Sequence, residues 1–325
     1  LMEHLASELS FSSRCEIAAE IDPRHFDRAY AAALQRAGVR RVSIGVQDFD
    51  PEVQAAINRH QSFAMTSGVV ALLRQHGVGS LNVDLVYGLP RQTLDRLDRT
   101  ISSVIELAPD RVAVFGYAHL PERLPHQRLI DGATIPGVVE RHAFAEHVAG
   151  RLASSGYVRI GLDHFARQSD ALASRPVKRN FQGYTIDDAS ALIGLGASAI
   201  GKLPAGYVQN ATAIGEYGRR IAEQGFATQR GIRLSADDRL RASVIEHLMC
   251  TFELSGAELR RQYGAAANRM LVEAEALLAK DRDGLVESSG DGIRVTERGR
   301  PFVRALCAHF DAYLHRGQTR FSTGV

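Results

Sequence analysis

Cysteine is scarce in this sequence of 325 residues. There are three, Cys15, Cys250 and Cys307, and none lies near another along the chain, so neither a disulfide framework nor a metal knuckle is written into it. They are expected to be reduced and mostly buried thiols, because a free cysteine behaves as a small hydrophobe. Long hydrophobic runs are lacking too. The longest uncharged apolar-rich stretch, 191–201, is far short of the ~20 residues that span a bilayer. Glu3, His4 and Glu8 interrupt the leucines of the first stretch, which argues against a secretory signal. The expectation is a soluble, cytoplasmic, monomeric protein that does not bind membranes. An excess of either charge is also missing: 39 Lys and Arg against 37 Asp and Glu leave +2, and no basic block occurs. Nothing electrostatic therefore points to nucleic acid. Neither a G-x-S-x-G nucleophile elbow nor a P-loop is present.

What is present is 45% apolar residues, enough for one large domain and a smaller one. Short β-branched runs at 15–21, 41–46, 80–87, 111–117 and 157–162 alternate with helical patterns at 25–37, 64–76, 94–107 and 137–155. That alternation predicts βαβ units and a parallel sheet. Each run ends in a polar cluster: Glu20 to Pro23, Gln47-Asp48, Asp84 with Tyr87 to Pro90, Tyr117 to His119, and Asp163-His164. Single carboxylates after strands also cap helices, but five clusters on one face mark the place where parallel α/β folds put binding sites. Leu1, Leu5 and Leu9 recur at helical spacing with no capping residue before them, so the sequence is expected to open inside a helix of a longer protein.

The pattern changes near Ile232. Ser235-Ala236-Asp237-Asp238 reads as a helix start. Helical patterns follow at 238–252, 256–262 and 266–279, then a hairpin at 284–296 around Gly290-Asp291-Gly292, then a last helix at 300–314. The domains are read as 1–231 and 232–325, the second a small, mostly helical, winged-helix-like module. Such modules often bind DNA, but Arg260, Arg261 and Arg269 are balanced by Glu258, Glu273 and Glu275, and a lid or packing role is expected instead. Gly194 to Ala199 matches G-x-G-x-x-A, yet Pro204 arrives too soon for the helix that seats a pyrophosphate. Those glycines are expected to let the backbone pass close to a small ligand. His60, His119 and His164 sit in separate clusters, and no spacing brings three ligands to a metal.

Several strings resemble oxygen-independent coproporphyrinogen III oxidases. They are Glu20-Ile-Asp-Pro-Arg24, Ser43-Ile-Gly-Val-Gln-Asp-Phe49, Asn58-Arg59, Asn82 to Pro90, Phe115 to Pro121, Gly161 to Arg167 and Arg179 to Tyr184, and the similarity continues to about Leu314. The resemblance implies a partial TIM-type barrel of the radical S-adenosylmethionine kind, with the C-x-x-x-C-x-x-C loop and a G-G-T loop upstream of Leu1. It implies oxidative decarboxylation of two propionates of coproporphyrinogen III to give protoporphyrinogen IX in haem synthesis. It implies two S-adenosylmethionines per chain and a 4Fe–4S cluster whose ligands are not in this sequence; as it stands the chain is expected to be inactive. By resemblance, Glu20 matches a contact to a first S-adenosylmethionine, and Gln47, Arg59, Asp84, Ala118 and Ile200 match contacts to a second. His119, His164, Arg167 and Arg179 are substrate candidates by motif neighbourhood. Electron donor and acceptor are not indicated. A haem chaperone or haem-binding relative, and a non-catalytic paralogue, are the alternative readings.

Overall fold

In the segments Arg41–Gln47 and Ser80–Tyr87, alternate side chains are Val42, Ile44, Val46 and Leu81, Val83, Leu85, and all six are buried. Period two places them on one face of a strand. The computed structural model describes residues 1–314, and these two segments are β2 and β3 of a six-stranded sheet. Around them stand β1 (Ala18–Ile21), β4 (Arg111–Gly116), β5 (Tyr157–Ile160) and β6 (His164–Arg167), in the order β1-β2-β3-β4-β6-β5. β1 to β4 are parallel, whereas β6 is antiparallel to both of its neighbours. The parallel expectation is thus corrected at 157–162. Only three residues separate β5 from β6, too few for a crossover, so the chain turns back as a hairpin.

Seven helices accompany this sheet: α1 (Met2–Glu8), α2 (Arg28–Arg36), α3 (Pro51–Ala56), α4 (Phe63–Gln75), α5 (Leu94–Leu107), α6 (Val138–Ser154) and α7 (Ala171–Ser174). Asp27, Ser62 and Thr93 start α2, α4 and α5, each side chain accepting from the backbone N–H three residues on. α5 buries Leu97, Thr100, Ile101, Val104 and Leu107, a helical stripe, and ends at Ala108 with φ +49 before Pro109. Its stripe joins Val69 and Leu73 of α4, Phe144, Val148 and Leu152 of α6, and the apolar face of β2 to β4 in one core. Each such side chain contributes about 1.5–3 kcal/mol on burial. α1 forms as the leucine spacing predicts but buries none of its residues.

The chain divides into two compact units at Arg175 and Pro176. The second holds an antiparallel ribbon, β7 (Lys178–Asn180) with β8 (Gly183–Thr185), and a three-stranded antiparallel sheet of β9 (Ile200–Leu203), β10 (Gly206–Asn210) and β11 (Thr228–Arg233). α8 (Ile214–Gln224) connects β10 to β11. There follow α9 (Ala236–Thr251), β12 (Glu253–Leu254), α10 (Gly256–Tyr263), α11 (Ala267–Lys280), the hairpin β13 (Val286–Ser289) and β14 (Gly292–Val295), and α12 (Val303–Ala308). Ser235 and Asp238 cap α9 reciprocally. Position 232, where the pattern changes, lies in β11 of this unit, and 315–325 lie outside the described residues.

One expectation is corrected in this unit. The last helix is not continuous over 300–314. Pro301 holds the chain in a 3-10 turn, Arg300–Phe302, and α12 is short. At Gly194 and Gly201 the backbone of 191–201 approaches itself closely. A Cβ on Gly194 would lie 2.8 Å from the Ile200 carbonyl oxygen, and one on Gly201 would lie 3.0 Å from that of Leu192. They let the chain pack against itself, where Leu192 and Lys202 bridge.

Candidate functional site

The face of the first sheet opposite the core is polar. Strand register sets Glu20, Ser43 and Asn82 in one row across β1, β2 and β3, and Gly45, Asp84, Ala113 and His164 in the next row across β2, β3, β4 and β6. Ser43 Oγ donates to Asp84 Oδ2 at 2.9 Å, and Asn82 Nδ2 donates to Asp84 Oδ1 at 2.7 Å and to Ser43 Oγ at 2.8 Å. Burial raises the Asp84 carboxyl above its ordinary range; the hydrogen bonds from Ser43 and Asn82 oppose this, and the charge of Glu20 adds to it. Asn82 Oδ1 is buried with no hydrogen-bond partner. Next to Asp84 on this face, His164 Nδ1 and Asp163 Oδ1 are 2.8 Å apart, both residues buried, and Phe115 meets the imidazole edge-on at 5.8 Å.

A cationic cluster stands at the β1 and β2 end of the same face. Arg59, on the loop from α3 to α4, donates from Nη2 to the Gly45 carbonyl at 2.6 Å and from Nη1 to Asp22 Oδ2 at 3.4 Å. Arg24 holds the same Asp22 carboxylate through Nε and Nη2, at 3.0 and 2.6 Å. The Arg24 hydrogen bond is the main reason the Asp22 carboxyl stays far below the usual range. Arg59 Nε is buried without a partner. Gly45 leaves the space between: a Cβ there would lie 3.1 Å from Gln47 Nε2 and 3.2 Å from Arg59 Nη2.

Two buried glutamines that sequence reasoning missed, Gln92 and Gln54, hold the rim around Asp48. Asp48 is fully buried and accepts from Thr100 Oγ1 at 2.6 Å, Gln92 Nε2 at 2.7 Å and the Asp50 N–H at 2.7 Å. Gln92 Oε1 in turn accepts from the Gly88 N–H, so the ends of β2 and β3 are tied to each other and to α5. Burial is also why the Asp48 carboxyl is raised. Gln54 donates from its side chain to the carbonyls of Asp48 and Gln61, and its backbone carbonyl accepts from the Arg59 N–H, which places the loop that carries Arg59. Gln47 beside them sits at φ +69 with a register shift in β2, a backbone setting that side chains adopt at some cost. Only the polarity of Gln92 and Gln54 stood in the sequence, and isolated glutamines do not announce burial.

Of the residues singled out from sequence, Glu20, Gln47, Arg59 and Asp84 meet on this face, with His164 in the next strand but one. Ala118 lies in the loop after β4, its carbonyl accepting from Gln127 Nε2 at 2.9 Å, and His119 Nδ1 is 3.5 Å from Tyr117 Oη. Arg167 is not with them. It stands at the opposite end of the strands, the open end of the β5–β6 hairpin, its Nε donating to the Pro109 carbonyl and its guanidinium over the Tyr157 ring. Ile200 and Arg179 belong to the second unit. Ile200 lines an apolar groove with Phe181, Tyr207, Val208 and Ile232; Arg179 lies over the Tyr184 ring and lines a polar cavity with Lys178, Lys202 and Glu246.

The cysteines do not assemble. Cys15 is exposed, and Cys250 and Cys307 are buried in the second unit, where burial pushes both thiols up to about 12. Among the described residues no three His, Cys, Asp or Glu are grouped so as to hold a metal, and no helix is long and apolar enough to cross a membrane.

Comparison with known proteins places this geometry. Residues 1–104 match the Radical SAM superfamily, and residues 234–302 match the HemN C-terminal domain. The oxygen-independent coproporphyrinogen III oxidase of Bradyrhizobium diazoefficiens is 46% identical over 95% of this chain and 70% of its own length. That of Paracoccus denitrificans is 43% identical over 92% of this chain and 67% of its own length. The solved structure of coproporphyrinogen III oxidase (HemN) from Escherichia coli, described as a radical SAM enzyme, superposes with a TM-score of 0.91 at 39% identity, over 96% of this chain and 73% of that one.

Proposed function

The chain belongs to the oxygen-independent coproporphyrinogen III oxidases, radical S-adenosylmethionine oxidoreductases of haem synthesis, and from that premise we propose that the polar face of the first sheet is where its residues hold the cofactor. The reaction is the oxidative decarboxylation of two propionates of coproporphyrinogen III to give protoporphyrinogen IX. A propionate C–H has no acidity that a side chain can exploit. Together, S-adenosylmethionine and a 4Fe–4S cluster supply one-electron hydrogen abstraction for such a bond.

The residues present fit S-adenosylmethionine. The observation that carries the reading is the hydrogen-bonded row of Ser43, Asn82 and Asp84 beside Glu20, with Arg59 at its end and two polar atoms, Asn82 Oδ1 and Arg59 Nε, buried without partners. Carboxylates suit a cationic amino group and ribose hydroxyls, and a guanidinium suits the methionyl carboxylate. In this reading Glu20 contacts one S-adenosylmethionine, and Gln47, Arg59, Asp84 and Ala118 contact another. His119 and His164 remain candidates for the substrate's propionates, and Arg167 is dropped.

The residues present do not fit the cluster. Three thiolates are needed at one place, and Cys15, Cys250 and Cys307 are not near one another in sequence, two of them being buried thiols. The 325 residues by themselves are therefore expected to bind S-adenosylmethionine weakly and not to turn over.

Anaerobic calorimetric titration of the chain with S-adenosylmethionine tests the cofactor face. Glu20→Gln and Asp84→Asn should each weaken binding by roughly tenfold, the scale of one charge-assisted hydrogen bond. Affinity unmoved by both substitutions removes this face as the site. Formation of 5′-deoxyadenosine by the chain alone under reducing conditions would overturn the statement on turnover.

A further inference from the structure

The structure assigns Asp22, clamped by Arg24, as a positioning residue for Arg59. This rests on the reading of the polar face as the cofactor site and says how Arg59 is aimed.

Arg59 reaches the face from a loop, and a long side chain on a loop has many rotamers. Two contacts restrict it: Nη2 on the Gly45 carbonyl at 2.6 Å and Nη1 on Asp22 Oδ2 at 3.4 Å. The carbonyl belongs to β2 and is fixed by the sheet. The carboxylate follows β1 directly, and it is fixed from the other side. Arg24 donates its backbone N–H to Asp22 Oδ1 at 3.0 Å and grips both oxygens through Nε and Nη2. Asp22 also caps the 3-10 turn Pro23–His25, where Pro23 restricts the backbone. The carboxylate is thus a fixed anchor between two guanidiniums.

The arrangement has a chemical consequence. One carboxylate facing two arginines leaves the cluster with a net positive charge, so Arg59 is oriented by Asp22 without being neutralised by it. Its Nε–H is buried and unpartnered, a donor left for an acceptor that the chain does not supply. A guanidinium offers its donors as a planar fork, and a carboxylate accepts that fork with two oxygens. The group that fits is the α-carboxylate of the methionyl end of S-adenosylmethionine. Asp22 touches neither cofactor nor substrate in this assignment; it acts through Arg59.

The test compares two ligands that share the adenosine part. S-adenosylmethionine carries the α-carboxylate, and 5′-methylthioadenosine does not. Both are titrated calorimetrically into the 325-residue chain and into Asp22→Asn, Arg59→Ala and the double variant. Asp22→Asn should weaken S-adenosylmethionine by roughly five- to tenfold and leave 5′-methylthioadenosine unmoved. In the Arg59→Ala background the same substitution should have no further effect. Asp22→Glu, which keeps the charge one methylene away, should fall between and covers the case in which Asp22→Asn does not fold. The assignment fails if Asp22→Asn leaves S-adenosylmethionine unaffected, if it weakens both ligands alike, or if its effect persists undiminished without Arg59. Wild-type chain that binds neither ligand, or Arg59→Ala that binds S-adenosylmethionine as wild type does, overturns the cofactor reading itself and the assignment with it.

Discussion

Asp84 is a carboxylate built into a sheet face and made tolerable by two short hydrogen bonds from Ser43 and Asn82. Burial nevertheless raises its pKa from 3.8. The folded chain therefore takes up this proton more readily than the unfolded chain does. The stability linked to it is complete below 3.8 and is lost as pH rises through the raised value. Asp84→Asn, which has no proton to lose, should flatten that part of the profile of urea midpoint against pH. A mutant profile with the wild-type slope would mean that Asp84 titrates like an exposed carboxyl. Binding runs the other way, since a cationic ligand wants Asp84 ionised. Affinity for S-adenosylmethionine should fall on acidification from a higher pH than an ordinary carboxylate would give, and it should do so only while Asp84 is present.

At the scale of elements, the site depends on how strand ends are tied together. Gly88 follows β3 at φ +79, and a Cβ there would lie 2.8 Å from Arg141 Nε and within 3.2 Å of that side chain's carbons. Arg141 comes from α6 and donates from Nη2 to the Tyr117 carbonyl at 2.8 Å, so one side chain spans the loops after β3 and β4. Gly88→Ala should destabilise the protein by about 1–3 kcal/mol through the strained φ and the displaced arginine; a urea midpoint within error of wild type would show that the turn relaxes freely. Gln92→Ala acts on the same loop by another route. It takes one of three donors from the buried Asp48 carboxylate and leaves the Gly88 N–H without its acceptor, a loss of about 1–3 kcal/mol that the urea midpoint should show.

At the scale of the whole chain, two units carry separate cores. Leu73 is buried in the first among β2, β3 and the helices that cover them. Leu259 of α10 and Met270 of α11 are buried in the second. Leu259→Ala should cost about 2–5 kcal/mol. Hydrogen exchange followed by mass spectrometry should place the loosening in 236–308 and leave β2 to β4 protected as in wild type. Equal loosening of β2 to β4 would overturn this placement.

Periodicity and capping were enough to locate most elements. The alternation in 41–47 and 80–87, the stripe of α5 and the cap at Ser235 are local signals, and β3 and α5 have the bounds the sequence predicts. The resemblance strings were legible for the same reason, since they are contiguous. Other features were not legible, because they depend on pairing between distant segments. Nothing near 157–167 says that β6 inserts between β4 and β5, or that Arg167 is thereby carried to the far end of the strands. Nothing near Gly194 says that its missing side chain makes room for the Ile200 carbonyl. The polar clusters were read as strand-end groups, whereas register sets Glu20, Ser43, Asn82 and Asp84 across the face of the sheet. A sequence determines which residues are polar and which can form strands; only the tertiary fold decides which polar groups share a face, because that depends on strand order and register.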